Sequence, residues 1–313
     1  MEILKNPHYD FLSKTRYFLA LSLIFIGSGL AVMISRGVKY GVEFSGGTQV
    51  IARFQATPAI DRVRAAVDKD QPGAVIQSYG EPAKNQVLIR LAGTNEITGE
   101  GELDTTAKKL LGALRTHYPQ NPILDSSSDI VGPIVGAELR QKAIQLTVLG
   151  LLFQLLYIWW RFRGFVWGTA AALAALHDVL ICIGFLAFFN YEMTLNVIAA
   201  LLTLVGYSVN DTIVIFDRAR ENLRQRRKEP LARVLNDSVN QTLTRTVISN
   251  GTTFLSVLGL WLFGGEVLHA FGFTMVVGIL VGTYSTIFIA TPLVVWWSGM
   301  TQRRKTSAAK AAL

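Results

Sequence analysis

The 313-residue chain is 50% hydrophobic and only 17% charged, whereas a soluble domain carries about 25% charge, so a wholly soluble protein is excluded. A single cysteine, Cys182, rules out an intrachain disulfide or a cysteine-cluster metal site; His8, His117, His177 and His269 lack ligand spacing, and no G-x-x-x-x-G-K-[ST] loop occurs, so no metal, nucleotide or other cofactor is expected. The net charge of +8, from 30 Lys+Arg against 22 Asp+Glu, would suit nucleic acid only on a soluble basic face, so its placement decides.

Between Arg16 and Arg36 lie 19 uncharged, mostly apolar residues, enough at about 1.5 Å each to cross roughly 30 Å of hydrocarbon. The run exceeds a signal-peptide apolar region of about 7 to 15 residues, and no A-x-A site follows, so it reads as a retained span. Residues 1–35 therefore form a tail and first span. The segment 36–140 is nearly neutral and reads as a separate globular domain outside the membrane. Alternation in QVIARF and VLIRL, the breakers Pro58 and Pro72-Gly73, and the turn Gly80-Glu81-Pro82 predict six elements. These are strand 48–54, helix 59–68, strand 74–79, strand 86–91, helix 103–117 and strand 122–130. A βαββαβ order is the split, ferredoxin-like arrangement, an α+β sheet with two helices on one face. Five more spans follow within 141–298, at 143–160, 164–191, 193–216, 246–265 and 270–297, interrupted by a basic loop at 218–241 and followed by a basic tail, 299–313.

Lys and Arg in short loops set orientation. They gather in the N-terminal tail (Lys5, Lys14, Arg16), the hairpin Arg161 and Arg163, the segment from Arg218 to Arg245, and the tail Arg303, Arg304, Lys305 and Lys310. The opposite short loops, around Asn190–Glu192 and Gly265–His269, contain neither residue. Six spans with this bias predict both termini in the cytoplasm. The positive charge is thus a topology signal that also suits anionic membrane lipid, and nucleic acid is not an expected partner.

Charged residues inside hydrocarbon are costly, face a bundle interior and often function there. Asp178, with His177 beside it, lies near mid-membrane. Asp211 lies six residues before Asp217, about 9 Å of helix from the cytoplasmic boundary. Asn196, Thr203, Tyr207, Asn210 and Asp211 fall on one stripe of their helix; Thr242, Arg245, Thr246, Ser249, Thr252, Thr253 and Ser256 form a second on the next, both at helical spacing. If the stripes face each other, Asp211 and Arg245 can pair. Either the pair is static helix glue or Asp211 is a proton relay, a carboxylate whose proton affinity answers to burial and to the distance of a cation. His177 and Asp178 read as interhelical hydrogen bonding or as a second proton-handling site. The glycine-bearing stretches Gly41–Thr48 and Val131–Leu139 supply tight turns at either end of the globular domain.

Several stretches carry a family resemblance: TLNVIAALLTLVGYSVNDTIVIFDRARENLR (Thr194–Arg224), SVNQTLTRTVISNGTT (Ser238–Thr253), and, in order, GVEFSGGT (Gly41–Thr48), IVGPIVGAEL (Ile130–Leu139) and AALHDVL (Ala174–Leu180). Together the chain resembles the SecD/SecF family of protein-export membrane proteins, on its SecF side, within the resistance-nodulation-division superfamily. Glu43 stands where the family often has Asp, which keeps the charge. The resemblance implies a multi-pass α-helical protein of the bacterial inner membrane with six spans and one ferredoxin-like domain. It implies a non-enzymatic subunit that, with SecD and YajC, uses the proton gradient to complete export of a preprotein through the SecYEG channel. It places Asp211 and Arg245 in the proton pathway, with Asn210, Tyr207, Thr203, Thr246, Ser249, His177 and Asp178 as supporting polar residues. Two other functions fit the bare pattern: a proton-driven exporter of small molecules or lipids, and an intramembrane aspartyl protease with Asp178 and Asp211 as its dyad.

Overall fold

A computed structural model describes residues 7–80, 82–92, 100–131, 133–162 and 164–300. Gly132, Arg163, Lys5 and the basic tail residues Arg303, Arg304, Lys305 and Lys310 lie outside these. Among the described residues six helices are long and apolar enough to cross a membrane: Leu12–Arg36, Val135–Arg161, Phe165–Phe188, Leu195–Gln225, Leu231–Phe263 and Leu268–Met300. The chain divides into two compact units. One holds the described residues up to Val38, then Thr147–Tyr191 and the chain from Asn196 onward; the other holds Lys39–Leu146 together with the short stretch Glu192–Leu195.

In the inserted unit, a one-turn helix α2 (Val42–Ser45) precedes β1 (Gly47–Phe54), α3 (Ile60–Val67), β2 (Val75–Tyr79), β3 (Gln86–Ala92), α4 (Glu100–His117) and β4 (Ile123–Val131). The strands form one antiparallel sheet in the order β2-β3-β1-β4. Alternation fixes which face is covered. Val50, Ala52 and Phe54 of β1 join Val87 and Ile89 of β3 and Ile76 of β2, packed against Val63, Ala66 and Val67 of α3 and Ala107, Leu110 and Leu114 of α4. Edge strand β4 carries Ser126, Ser127, Ser128 and Asp129 exposed, a polar edge of the kind that discourages further pairing. Helix α2 falls where only a glycine-bearing turn is expected. It ends at Gly46 and Gly47, at φ +68° and +125°, conformations closed to most L-residues. A Cβ on Gly136 would stand 2.9 Å from the Gly46 backbone nitrogen, so the two glycine motifs, 90 residues apart, meet backbone to backbone.

The helical unit contains α1 (Thr15–Arg36), the second half of α5 (Pro133–Phe162), α6 (Phe165–Phe188), all but the first residue of α7 (Leu195–Gln225), α8 (Leu231–Phe263) and α9 (Gly265–Ser285), the last continued by a π-helical turn, Thr286–Ala290. The last span is the most enclosed, its apolar stretch mostly buried, whereas those of α1, α5 and α8 are mostly exposed. Small residues set the close contacts, as is usual where lipid removes a hydrophobic drive for helix association. Ala170, Ala171, Ala174 and Ala175 of α6 are buried in the core. A Cβ on Gly29 of α1 would lie 2.6 Å from the Cα of Gly184 on α6.

The segment 218–241, expected as a loop, is helical on both arms, with only residues 226–230 between α7 and α8. At 31 and 33 residues, both helices outrun the roughly 20 needed to span a bilayer. Polar contacts hold their ends together: Asn222 donates to Ser238 Oγ at 2.8 Å, Arg226 to Asp237 at 2.8 Å, and Arg218 to Gln241 at 2.6 Å. A hydropathy count sees only the apolar stretch. The N-terminal segment is tied to the same α8 surface, Asn236 and Asn240 accepting from the backbone N–H groups of Phe11 and Tyr9 at 2.9 Å each.

Candidate functional site

Asp211 occupies the inner face of α7 and is buried. Its direct partner is Asn250 of α8, whose Nδ2 donates to Asp211 Oδ2 at 2.5 Å and to Thr283 Oγ1 of α9 at 2.7 Å. The Asn250 amide oxygen accepts from the Tyr207 hydroxyl at 2.9 Å. One amide therefore joins three helices around the carboxylate. Thr246, one turn before Asn250, is buried with its hydroxyl unpartnered.

The two stripes do not meet as a simple Asp–Arg pair. Arg245 is exposed on α8 and interacts with the Asp211 charge only at a distance; no ion pair joins them among the described residues. Thr203, Asn210 and Ser249 are exposed and Tyr207 is half-buried. Successive helical residues lie about 100° apart, so a stripe several residues wide straddles the boundary between interior and surface. Asn250 is the residue that sequence reasoning passed over. Its signal was its place four residues after Thr246, on the buried edge of the α8 stripe.

His177 and Asp178 form a second polar centre, between α1, α6, α7 and α9. Asp178 is fully buried; its Oδ1 contacts His177 Nδ1 at 2.9 Å, and its Oδ2 accepts from Ser208 at 2.5 Å and Ser285 at 2.9 Å. His177 Nε2 lies 2.8 Å from the Ser22 hydroxyl, which lies 3.2 Å from that of Tyr284. Ser22, Ser208, Tyr284 and Ser285 carry no signal that distinguishes them from the many small polar residues of these helices. Asp178 and Asp211 share no hydrogen-bond partner among the described residues.

The architecture defines a six-span membrane protein with an α+β domain inserted after its first span and two separate intramembrane carboxylates. A profile described as "Protein export membrane protein SecD/SecF, C-terminal" matches residues 113–300, and one for the SecD/SecF GG motif matches residues 31–58. The protein translocase subunit SecF of Koribacter versatilis is 36% identical over 98% of this chain and 96% of its own length. That of Calditerrivibrio nitroreducens is 39% identical over 94% and 96%. The crystal structure of SecDF from Thermus thermophilus, a translocon-associated membrane protein, superposes with a TM-score of 0.81 at 35% identity, covering 94% of this chain and 39% of that one. The chain belongs to the SecF family of protein-export membrane proteins. It is accordingly a multi-pass inner-membrane subunit with an accessory role in Sec protein translocation, and not an enzyme.

Proposed function

We propose that this chain, joined to SecD, uses the proton gradient to complete export of preproteins through the SecYEG channel, with Asp211 as the group that takes and releases the proton. The observation that carries this reading is the buried Asp211 carboxylate, bound among the described residues by one donor, Asn250, and felt by the charge of the exposed Arg245. A proton moved across the membrane field is worth about 2.3 kcal/mol per 100 mV, enough to bias a helix arrangement. Arg245 belongs to the same pathway, and Thr203, Tyr207, Asn210, Thr246 and Ser249 support it.

Thr203, Asn210, Arg245, Ser249, Thr252 and Ser256 are exposed within apolar helices. Polar groups at membrane depth do not face lipid. A second six-span half covering them fits both this surface and the 39% share of the SecDF chain that this chain spans, so SecD is the expected occupant and YajC a further neighbour. The basic bias of the loops supports cytoplasmic termini and contact with anionic lipid, leaving the inserted domain outside the cytoplasm. Its βαββαβ order and its sheet order support a ferredoxin-like domain at 36–140, flanked by the span at 1–35, the bundle at 141–298 and the tail at 299–313. The test is preprotein translocation into inverted vesicles after the ATP-dependent stage. Export should quicken with a proton gradient in the wild type and stay at the no-gradient rate in Asp211→Asn; gradient stimulation surviving in that variant overturns the reading.

A further inference from the structure

The inserted domain is continuous in sequence with α1 on one side and α5 on the other, yet the stretch Glu192–Leu195, between α6 and α7, also folds as part of it. Met193 lies beside Tyr40 as a parallel bridge: its N–H donates to the Lys39 carbonyl at 2.8 Å, and its carbonyl accepts from the Gly41 N–H at 2.9 Å. Arg90, in the middle of β3, completes the attachment. Its guanidinium forms an ion pair with the Glu192 carboxylate and donates to the Tyr40 carbonyl at 3.3 Å and to the Gln49 amide oxygen at 3.2 Å. The Arg90 and Glu192 side chains are only 14% and 20% exposed, so the pair is shielded more than an ordinary surface bridge. One planar fork from β3 thus holds strand β1 and two connecting segments of the chain, a task that suits Arg and not Lys.

We infer that Arg90 and Glu192 form a latch that fastens the start of α7 to the inserted domain, so that a shift of the helix carrying Asp211 is delivered to that domain. Leu195 is both the last residue of the fastened stretch and the first of α7. From there to Asp211 the helix runs for about 24 Å at 1.5 Å per residue, and a hydrogen-bonded helix is stiff along its axis. Met193 fixes the position of the stretch through its backbone, and Arg90 fixes its orientation through Glu192. Neither residue touches the proton site; both are positioning residues.

The latch rests on the proton-driven reading, and the two can fail separately. In inverted vesicles holding the complex with SecD, gradient-stimulated export and proton entry are measured together for Arg90→Glu, Glu192→Arg, the double exchange and Asp211→Asn. Each single latch variant should lower stimulated export about five- to tenfold, the range of a contact that carries coupling, while proton entry persists, so that flow and work come apart. The double exchange, which restores the pair with its charges reversed, should recover most of the loss. Undiminished export in both single variants overturns the latch. So does loss of export together with proton entry that the exchange does not restore, since that is the signature of a damaged fold. Asp211→Asn judges the reading beneath it: unchanged stimulation there removes the proton role of Asp211 whatever the latch variants do.

Discussion

Asp178 and Asp211 are both carboxylates inside a helical bundle and both are bound through α7 or lie on it, yet their surroundings are opposite. Asp178 is fully buried and meets three partners, His177, Ser208 and Ser285, drawn from three helices. Asp211 takes one donated bond from Asn250, and that amide is shared with Thr283 and Tyr207. An ionised carboxylate has about four acceptor sites. Asp178 has most of its sites filled, so disturbing it breaks several bonds at once; Asp211 has less to break among the described residues. On the proposed reading the denser site is the one that stays as it is, and the sparser one is where the proton is taken and released. The π-helical turn that follows Ser285, with Thr291 Oγ1 donating to the Thr286 carbonyl at 2.9 Å, places the main irregularity of the last span next to the dense site. There it sets Ser285 and Thr286 on neighbouring partners, Asp178 and Thr212.

The contrast breaks if the two sites respond alike to loss of charge. Asp178→Ala should cost about 3 to 5 kcal/mol of stability, the scale of two or three buried hydrogen bonds to a carboxylate at about 1.5 to 3 kcal/mol each, because it takes one shared acceptor from His177, Ser208 and Ser285. Thermal unfolding of the detergent-solubilised complex checks this. Asp211→Asn should leave the unfolding midpoint nearly unchanged, since the Asn carbonyl still accepts from Asn250, while abolishing gradient stimulation. A large stability loss in Asp211→Asn would make the sparse site a structural one after all. A smaller effect is expected from Asn250→Ala, about 1 to 3 kcal/mol for the hydrogen bonds it leaves unmade. It should also lower gradient-stimulated export, because Asp211 loses its one donor; full export with intact stability would mean that Asn250 only fills space.

Hydropathy made the six spans legible because a membrane demands only length and apolarity, and Arg16 to Arg36 supplies both without interruption. It could not place the ends of α7 and α8, since charged residues such as Arg218 and Glu221 continue a helix in water as readily as they end a span; the two pair at 2.7 Å along α7. Period-two alternation gave the strands of the inserted domain to within a residue or two: strand 48–54 is β1 at Gly47–Phe54, and strand 86–91 is β3 at Gln86–Ala92. Asp211 stood out as a charge in an apolar helix. Its partner did not, because Asn250 looks like one more small polar residue until a third helix, through Thr283, is brought beside it. The ion pair of Arg90 with Glu192 spans 102 positions, and no local pattern relates them; Glu192 by itself reads as one of the few acids of the apolar half, available for chemistry, when it is a fastening point.

The smallest effect belongs to a third carboxylate, Asp217, six residues beyond Asp211 on α7. It pairs with Arg161 at the end of α5, and the two side chains are 38% and 39% exposed. A pair this open is screened by water and by salt, and its worth is about 0 to 1 kcal/mol. Asp217→Ala should shift the unfolding midpoint far less than Asp178→Ala, and the small shift should fade as salt is raised from about 0.05 M to 0.5 M, where the screening length falls below the usual 8 to 10 Å. The three aspartates would then rank by the number of bonds each holds in place and by exposure to water, not by depth alone. A loss as large as that of Asp178→Ala, insensitive to salt, would mean that the Arg161–Asp217 pair is shielded in the assembled complex, placing a partner over the ends of α5 and α7.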